Sequence, residues 1–292
     1  MKVGLFVPLV SPLCDRDFVA ALGPAAEERG FDSLWAAEHL VLFDDYSSEY
    51  PYSPDGKIPA GGEVGIIEPF ACLSFLAATT SRIRLGTGVL LVPQRNPVYT
   101  AKEAAAVDLL SGGRLDLGVG IGWLENEFEA AGVPFARRGK RTREYIEVIK
   151  KLWCEDPSSH DGEFYQLAEC RHYPKPIQTP HPPIVFGGET DAALRRAADL
   201  GQGWYGYDHE PATAAERITK LTGLLAERGR SRQDIEISIS PYMRQTGARE
   251  VEAFAEAGVD QLILYVLAGD RDELLGALDH VAVEVAELAH SL

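Results

Sequence analysis

Glu38 and His39 form the pair in this sequence best suited to moving a proton. Histidine changes charge near neutral pH, and a carboxylate beside it or on a nearby loop can orient or charge the ring. Both residues follow a short apolar run, Phe31 to Ala37, so they stand where a strand ends. The plainer alternative is a hydrogen-bonded structural histidine. His209, in Tyr207-Asp208-His209 after a later apolar run, is a second candidate of the same kind. Cys14 could touch a substrate or pack as a loop thiol. Other residues offer bare backbone instead of side chains. Gly118, Gly120 and Gly122 leave the run Leu115 to Val119, where exposed N–H groups can meet a phosphate or a ring edge. Their spacing is not the dinucleotide fingerprint GxGxxG, and no acidic residue follows at the distance that fingerprint needs. Gly86 and Gly88 lie inside a strand-like run, which marks a bulge, a barrel bend or a close backbone approach.

The elements that position these residues alternate along the chain. Strands are expected at Lys2 to Val10, Phe31 to Ala37, Leu85 to Val92, Leu115 to Val119, Pro183 to Phe186, Trp204 to Tyr207, Ile235 to Ser240 and Val259 to Leu267. Their apolar runs lack strict alternation, as in a parallel sheet covered on both faces. Helices are expected between them, at Phe18 to Arg29, Glu68 to Thr80, from Val98 to the stop at Ser111-Gly112-Gly113, at Arg143 to Cys154 and four times more before Leu288. Val41 to about Ile67 is a long loop holding Tyr46, Tyr50 and Tyr52, of the kind that covers a substrate. Trp123 to Thr142 reads as an irregular insertion and Asp161 to Pro176 as an excursion outside the repeat. Eight strands alternating with helices predict an α/β fold, a (β/α)8 TIM barrel in a single domain over residues 1–292, with an open doubly wound sheet as its rival. A barrel puts chemistry where strands end, near Ser11, Glu38, His39, the segment after Gly88, Gly118 to Gly122, Gly187, Tyr207 and Leu267.

The formal net charge of -16 argues against nucleic acid and against an anionic membrane surface as partners. No run approaches a membrane span and no secretory signal is evident, which points to the cytoplasm. The four cysteines, Cys14, Cys72, Cys154 and Cys170, show no metal-ligand spacing, so neither a metal site nor a disulfide is expected. Metal-dependent hydrolases on this barrel need paired histidines on the first strand, and Schiff-base lyases need a strand-end lysine. Neither feature occurs here.

Three segments carry a family resemblance: Arg82 to Val98 (RIRLGTGVLLVPQRNPV), Leu109 to Phe128 (LLSGGRLDLGVGIGWLENEF) and Pro174 to Gly188 (PKPIQTPHPPIVFGG). In combination the chain resembles the bacterial luciferase-like superfamily, closest to the branch that uses the deazaflavin coenzyme F420. The resemblance implies a (β/α)8 barrel that binds F420, or FMN as the alternative, at the carboxyl ends of its strands, in a homodimer acting on a small molecule. It implies a non-proline cis peptide at Gly88-Val89 behind the ring and puts Glu38 and His39 beside the ring's reactive edge. It assigns Gly118, Gly120 and Gly122 to one wall and Gly187, Gly188 and Thr190 to the phosphate at a helix start. Trp123 stands where sugar-phosphate dehydrogenases of the superfamily carry a carboxylic acid, which argues against that activity. The acidic tail of F420 would need local cations, and Arg137, Arg138, Lys140 and Arg141 are the dense cluster. The expected activity is hydride transfer between F420 and a small organic substrate. Its rivals are an FMN-dependent monooxygenase using oxygen and a non-catalytic flavin-binding protein.

Overall fold

The computed structural model describes residues 1–7, 15–58 and 65–292; the expected end of the first strand, Ser11, Cys14 and part of the long loop lie outside the described residues. In chain order the strands are β1 (Lys2–Val7), β2 (Ser33–Ala36), β3 (Arg84–Thr87), β4 (Leu90–Leu91), β5 (Leu115–Gly120), β6 (Ser158–Asp161), β7 (Gln166–Cys170), β8 (Ile184–Gly187), β9 (Gly203–Tyr207), β10 (Glu236–Ser240) and β11 (Gln261–Tyr265). The α-helices are α1 (Arg16–Glu28), α2 (Pro69–Thr79), α3 (Pro97–Ser111), α4 (Glu125–Ala130), α5 (Arg138–Cys154), α6 (Asp191–Leu200), α7 (Pro211–Ala226), α8 (Ala248–Glu256), α9 (Arg271–Val281) and α10 (Glu287–Ser291).

Eight of these strands pair in parallel in the order β3-β2-β1-β11-β10-β9-β8-β5, and a β3 to β5 pairing closes the ring. That closure, with Leu85 opposite Leu115 and Gly86 opposite Asp116, excludes the open sheet. The guanidinium of Arg84 clamps the seam by donating from Nε to Asp116 Oδ2 at 2.7 Å. The chain forms a (β/α)8 barrel.

Side chains alternate between two apolar cores, as the strand pleat requires. On β1, Val3, Leu5 and Val7 point to the helices, where they pack with residues such as Leu22, Leu73 and Leu278. Phe6 points inward and joins Trp35, Val185, Tyr205 and Ile263 in a plug inside the barrel. A buried polar chain lies below the plug: Trp35 Nε1 donates to Ser33 Oγ (2.8 Å), Ser33 Oγ to Gln261 Oε1 (2.9 Å) and Gln261 Nε2 to Ser238 Oγ (3.0 Å). Each buried polar atom in that chain therefore has a partner, which removes the cost of burying it.

Local chemistry sets the helix ends. Asn96 caps α3 by accepting from the amides of Val98 and Tyr99, and Gly112 at φ 72° closes it in the left-handed conformation that glycine adopts cheaply. One expectation is overturned and two gain detail. Trp123 to Thr142 is not irregular, because it holds α4 and the first turn of α5, with Leu124 and Phe128 buried one helical turn apart. The excursion after Asp161 is the return strand of an antiparallel hairpin, β6 with β7, in a sheet of its own. The non-proline cis peptide falls at Gly88-Val89, where the resemblance put it, and divides the third strand into β3 and β4; among the described residues β4 pairs with β5 alone.

Candidate active site

His39 and Glu38 leave the end of β2 in different directions. The Glu38 carboxylate accepts from the Leu91 amide and from Arg95 Nη1 at 2.7 Å, so it ties β2 to the end of β4. Arg95 also donates to Glu68 at 2.8 Å, which caps α2. Burial pushes the Glu38 carboxyl up to about 7, with Arg95 and the Leu91 amide pulling the other way. His39 turns instead toward Glu127, with Nδ1 3.3 Å from Glu127 Oε1 but without hydrogen-bond alignment. Glu127 is fully buried on α4, where it accepts from the Leu40 amide and from Gln94 Nε2 at 3.2 Å. The carboxylate facing His39 is thus Glu127. Sequence reasoning missed it because its helix was read as irregular; the Leu124 and Phe128 spacing would have revealed α4.

Aromatic rings surround this pair at the mouth of the barrel. His39 meets the edge of Trp123 at 6.0 Å between centroids. The loop after β2 brings Tyr46 and Tyr50 onto Trp123, at 5.5 and 5.2 Å, and Tyr52 onto Tyr207 at the end of β9, at 4.7 Å. Tyr207 in turn packs on Tyr242, which follows β10 with φ 58°, in the left-handed region. Burial pushes the Tyr50, Tyr52, Tyr207 and Tyr265 hydroxyls well above the usual phenol range, so each stays a protonated donor at neutral pH. Tyr205 OH is buried below them, and burial likewise holds it well above the usual phenol range.

The glycines have a structural cause as well. A Cβ on Gly118 would lie 1.7 Å from the Thr87 carbonyl oxygen, and Thr87 Oγ1 donates to Gly118 O at 2.6 Å. A Cβ on Gly120 would meet Val89 Cγ2 at 2.5 Å, and one on Gly187 would meet Val89 Cγ1 at 2.9 Å. Gly118, Gly120 and Gly187 therefore form the seat into which the Thr87-Gly88-Val89 turn packs from β3. Gly88 itself is hemmed in by Tyr205, Trp35 and Phe6. Gly122 (φ 75°) and Gly188 (φ 105°) occupy left-handed backbone.

Thr190 caps α6, its hydroxyl accepting from the Ala193 amide at 3.2 Å, directly after Gly187 and Gly188. Glu189 accepts from the Tyr207 amide at 2.9 Å and pairs with His209 Nε2, while His209 Nδ1 lies 3.1 Å from Thr213 Oγ1. Both ring nitrogens of His209 are engaged, so it braces β8 against β9. Of the cation cluster, Arg141 is buried and donates to the Pro134 carbonyl, and Arg137 is paired with Glu163 at 2.6 Å. Arg138 stacks on Phe135 and donates to Gly122 O at 2.9 Å.

Known proteins match this architecture. An uncharacterised Mycobacterium tuberculosis protein is 36% identical over 219 residues, 75% of each chain. The oxygenase component of a flavin-dependent trigonelline monooxygenase from Acinetobacter baylyi is 29% identical over 252 residues, 85% of this chain and 64% of the relative. An F420-dependent secondary alcohol dehydrogenase, solved with an F420-acetone adduct, superposes with a TM-score of 0.78 over 99% of this chain and 98% of its own at 19% identity, a likeness of fold. Among the described residues, no helix is long and apolar enough to cross a membrane. The family model for luciferase-like monooxygenases spans residues 1–284, and the chain belongs to that family of oxidoreductases and monooxygenases.

Proposed function

We propose that the protein transfers a hydride between coenzyme F420 and a small organic substrate at the barrel mouth, with His39 giving or taking the accompanying proton. The observation that carries this reading is the His39 imidazole, 12% exposed at the end of β2, with Nδ1 3.3 Å from a buried carboxylate and an unused hydrogen bond. A histidine in that setting can exchange a proton with a substrate oxygen from Nε2 while Glu127 steadies the charge. Glu38 acts as a positioning group that ties the end of β2 to the end of β4 through the Leu91 amide. The residues present suit a planar conjugated ring: the mouth is lined by Trp123, Tyr50, Tyr52 and Tyr207, whose edge and face contacts such a ring could replace one for one. The phosphate of the cofactor would be held at the first turn of α6 by the amides that Thr190 leaves unpaired. Bound there, the cofactor supplies the hydride chemistry and the protein supplies position, proton and exclusion of water.

The FMN-dependent, oxygen-using alternative draws support from the similarity to the trigonelline monooxygenase component over most of the chain. The spectrum of the cofactor that copurifies, followed by anaerobic reduction with a panel of small alcohols, separates the two. His39→Ala is expected to bind the cofactor nearly as well and to turn over roughly 100- to 10,000-fold more slowly, the usual contribution of a positioned acid or base. Full activity in that variant would return His39 to a structural role.

A further inference from the structure

Tyr242 holds a backbone conformation that a bulky side chain rarely adopts. Its φ of 58° lies in the left-handed region just after β10, although the residue is neither glycine nor asparagine. Strain of this kind persists where the surrounding structure fixes it, and it clusters at ligand sites. Here it sets the Tyr242 ring against Tyr207, at 4.9 Å between centroids, and against Tyr265, at 5.6 Å. The run of rings continues from Tyr207 to Tyr52 (4.7 Å), Tyr50 (5.5 Å) and Trp123 (5.2 Å). Two rings of the loop after β2 thus face rings carried by the strand ends, and all of them are half-buried.

The charges that bear most on these phenols are carboxylates: Glu189 and Asp208 on Tyr52, Asp208 on Tyr242 and Glu189 on Tyr205. Cations on this face are outnumbered. Arg244 serves both Asp208 and Glu210, and Arg95 serves Glu38, Glu68 and Glu103. His39 and His209 each face a carboxylate of their own, Glu127 and Glu189. The remaining two cations already sit on aromatic faces. Lys57 Nζ lies 4.0 Å from the centre of the Tyr46 ring and donates to the Tyr46 carbonyl; the Arg138 guanidinium lies 3.8 Å from the centre of Phe135 and donates to the Gly122 carbonyl. Ring faces are themselves electronegative, so rings and rim favour the same sign of ligand.

We propose that the barrel mouth recognises its substrate by a positively charged, alkylated nitrogen, seated between Tyr50 and Tyr52 of the loop and Tyr207 and Tyr242 at the strand ends. The inference rests on the reading that this mouth is the substrate site, and it adds the class of substrate. An alkylated ammonium suits walls made of ring faces, because its charge is spread over methyl groups that need no directed acceptor. A carboxylate or sulfonate in the same place would be repelled by both the faces and the rim.

Calorimetric titration of the full chain with choline and with its neutral carbon isostere, 3,3-dimethylbutan-1-ol, tests the proposal, since the two differ in charge and hardly in shape. Choline should bind about tenfold or more tightly, the order of one or two desolvated contacts between a cation and a ring face. Tyr242→Phe keeps the face and should stay within about twofold of the parent, whereas Tyr242→Leu should lose about tenfold for choline. Should urea unfolding show Tyr242→Leu to be poorly folded, Tyr52→Leu on the loop carries the same expectation. Asp208 also has φ 61°, which asparagine tolerates, so Asp208→Asn should fold normally and weaken choline by about threefold or more while leaving the isostere unchanged. No binding of choline, or equal affinity for choline and the isostere, overturns the proposal. So does a leucine variant that keeps the parent's preference. Saturable F420 binding without a preference for choline removes the substrate class alone. A preference for choline without binding of F420 or FMN removes the proposed hydride transfer alone.

Discussion

Replacing Glu38 with glutamine should change how stability depends on pH more than it changes activity. The native carboxyl sits at about 7 because burial outweighs the opposing pull of Arg95 and the Leu91 amide, against an ordinary 4.5 in the unfolded chain. Between those values the native state holds a proton that the unfolded state releases, so the group destabilises the fold as pH rises through that window. The difference of roughly 2.5 pH units, at 1.36 kcal/mol each, corresponds to about 3 kcal/mol. The side chain is only 9% exposed, so solvent screens little of this. Glutamine keeps an oxygen for the Leu91 amide, and Arg95 keeps Glu68 at 2.8 Å. Urea unfolding of parent and variant from about pH 4 to about pH 8 should therefore show a gap that widens in the variant's favour by about 3 kcal/mol. A constant gap, or one that widens in the parent's favour, would refute the reasoning and mean that the Arg95 pair outweighs burial.

Gly118→Ala should destabilise the barrel by about 3 kcal/mol, because its Cβ would stand 1.7 Å from the Thr87 carbonyl and backbone must move; an unchanged urea midpoint would contradict the seat assigned to the β3 turn. Glu27 behaves oppositely to Glu38. Burial raises its carboxyl, but the Ile83, Arg82 and Ser81 amides and the Ser81 hydroxyl together hold it at about 2. Its stabilisation is therefore complete above the ordinary 4.5 and lost as pH falls toward 2. After discounting for solvent, Glu27→Gln should cost of order 1 kcal/mol at neutral pH and nothing near pH 2, as acid titrations of the two proteins would reveal.

The barrel was legible because its signals are local. Apolar runs such as Leu115 to Val119, and punctuation such as Asn96 and Gly112, fix strands and helices within a few residues of themselves. Glu38 and His39 were legible as strand-end residues for the same reason. What the two residues touch was not, since Glu38 meets Leu91 and Arg95 and His39 meets Glu127, partners more than fifty residues away. The glycines show the same limit. Sequence marks Gly118, Gly120 and Gly187 as places of close approach, and the group that approaches is the Thr87 to Val89 turn of another strand. Linear density also misled for the cations, because Arg141 turns into the protein while Arg195 and Arg196 join Lys140 from a helix some fifty residues on.

The account rests above all on a ring-binding site at the barrel mouth beside His39. Titrating the purified protein with F420 and, separately, with FMN while following tryptophan emission tests this directly, because Trp123 borders the mouth next to His39. Saturable quenching by F420, with a component that disappears in Trp123→Phe, is the predicted result. Absence of saturable binding by either cofactor, or quenching that the Trp123 variant leaves untouched, would contradict it.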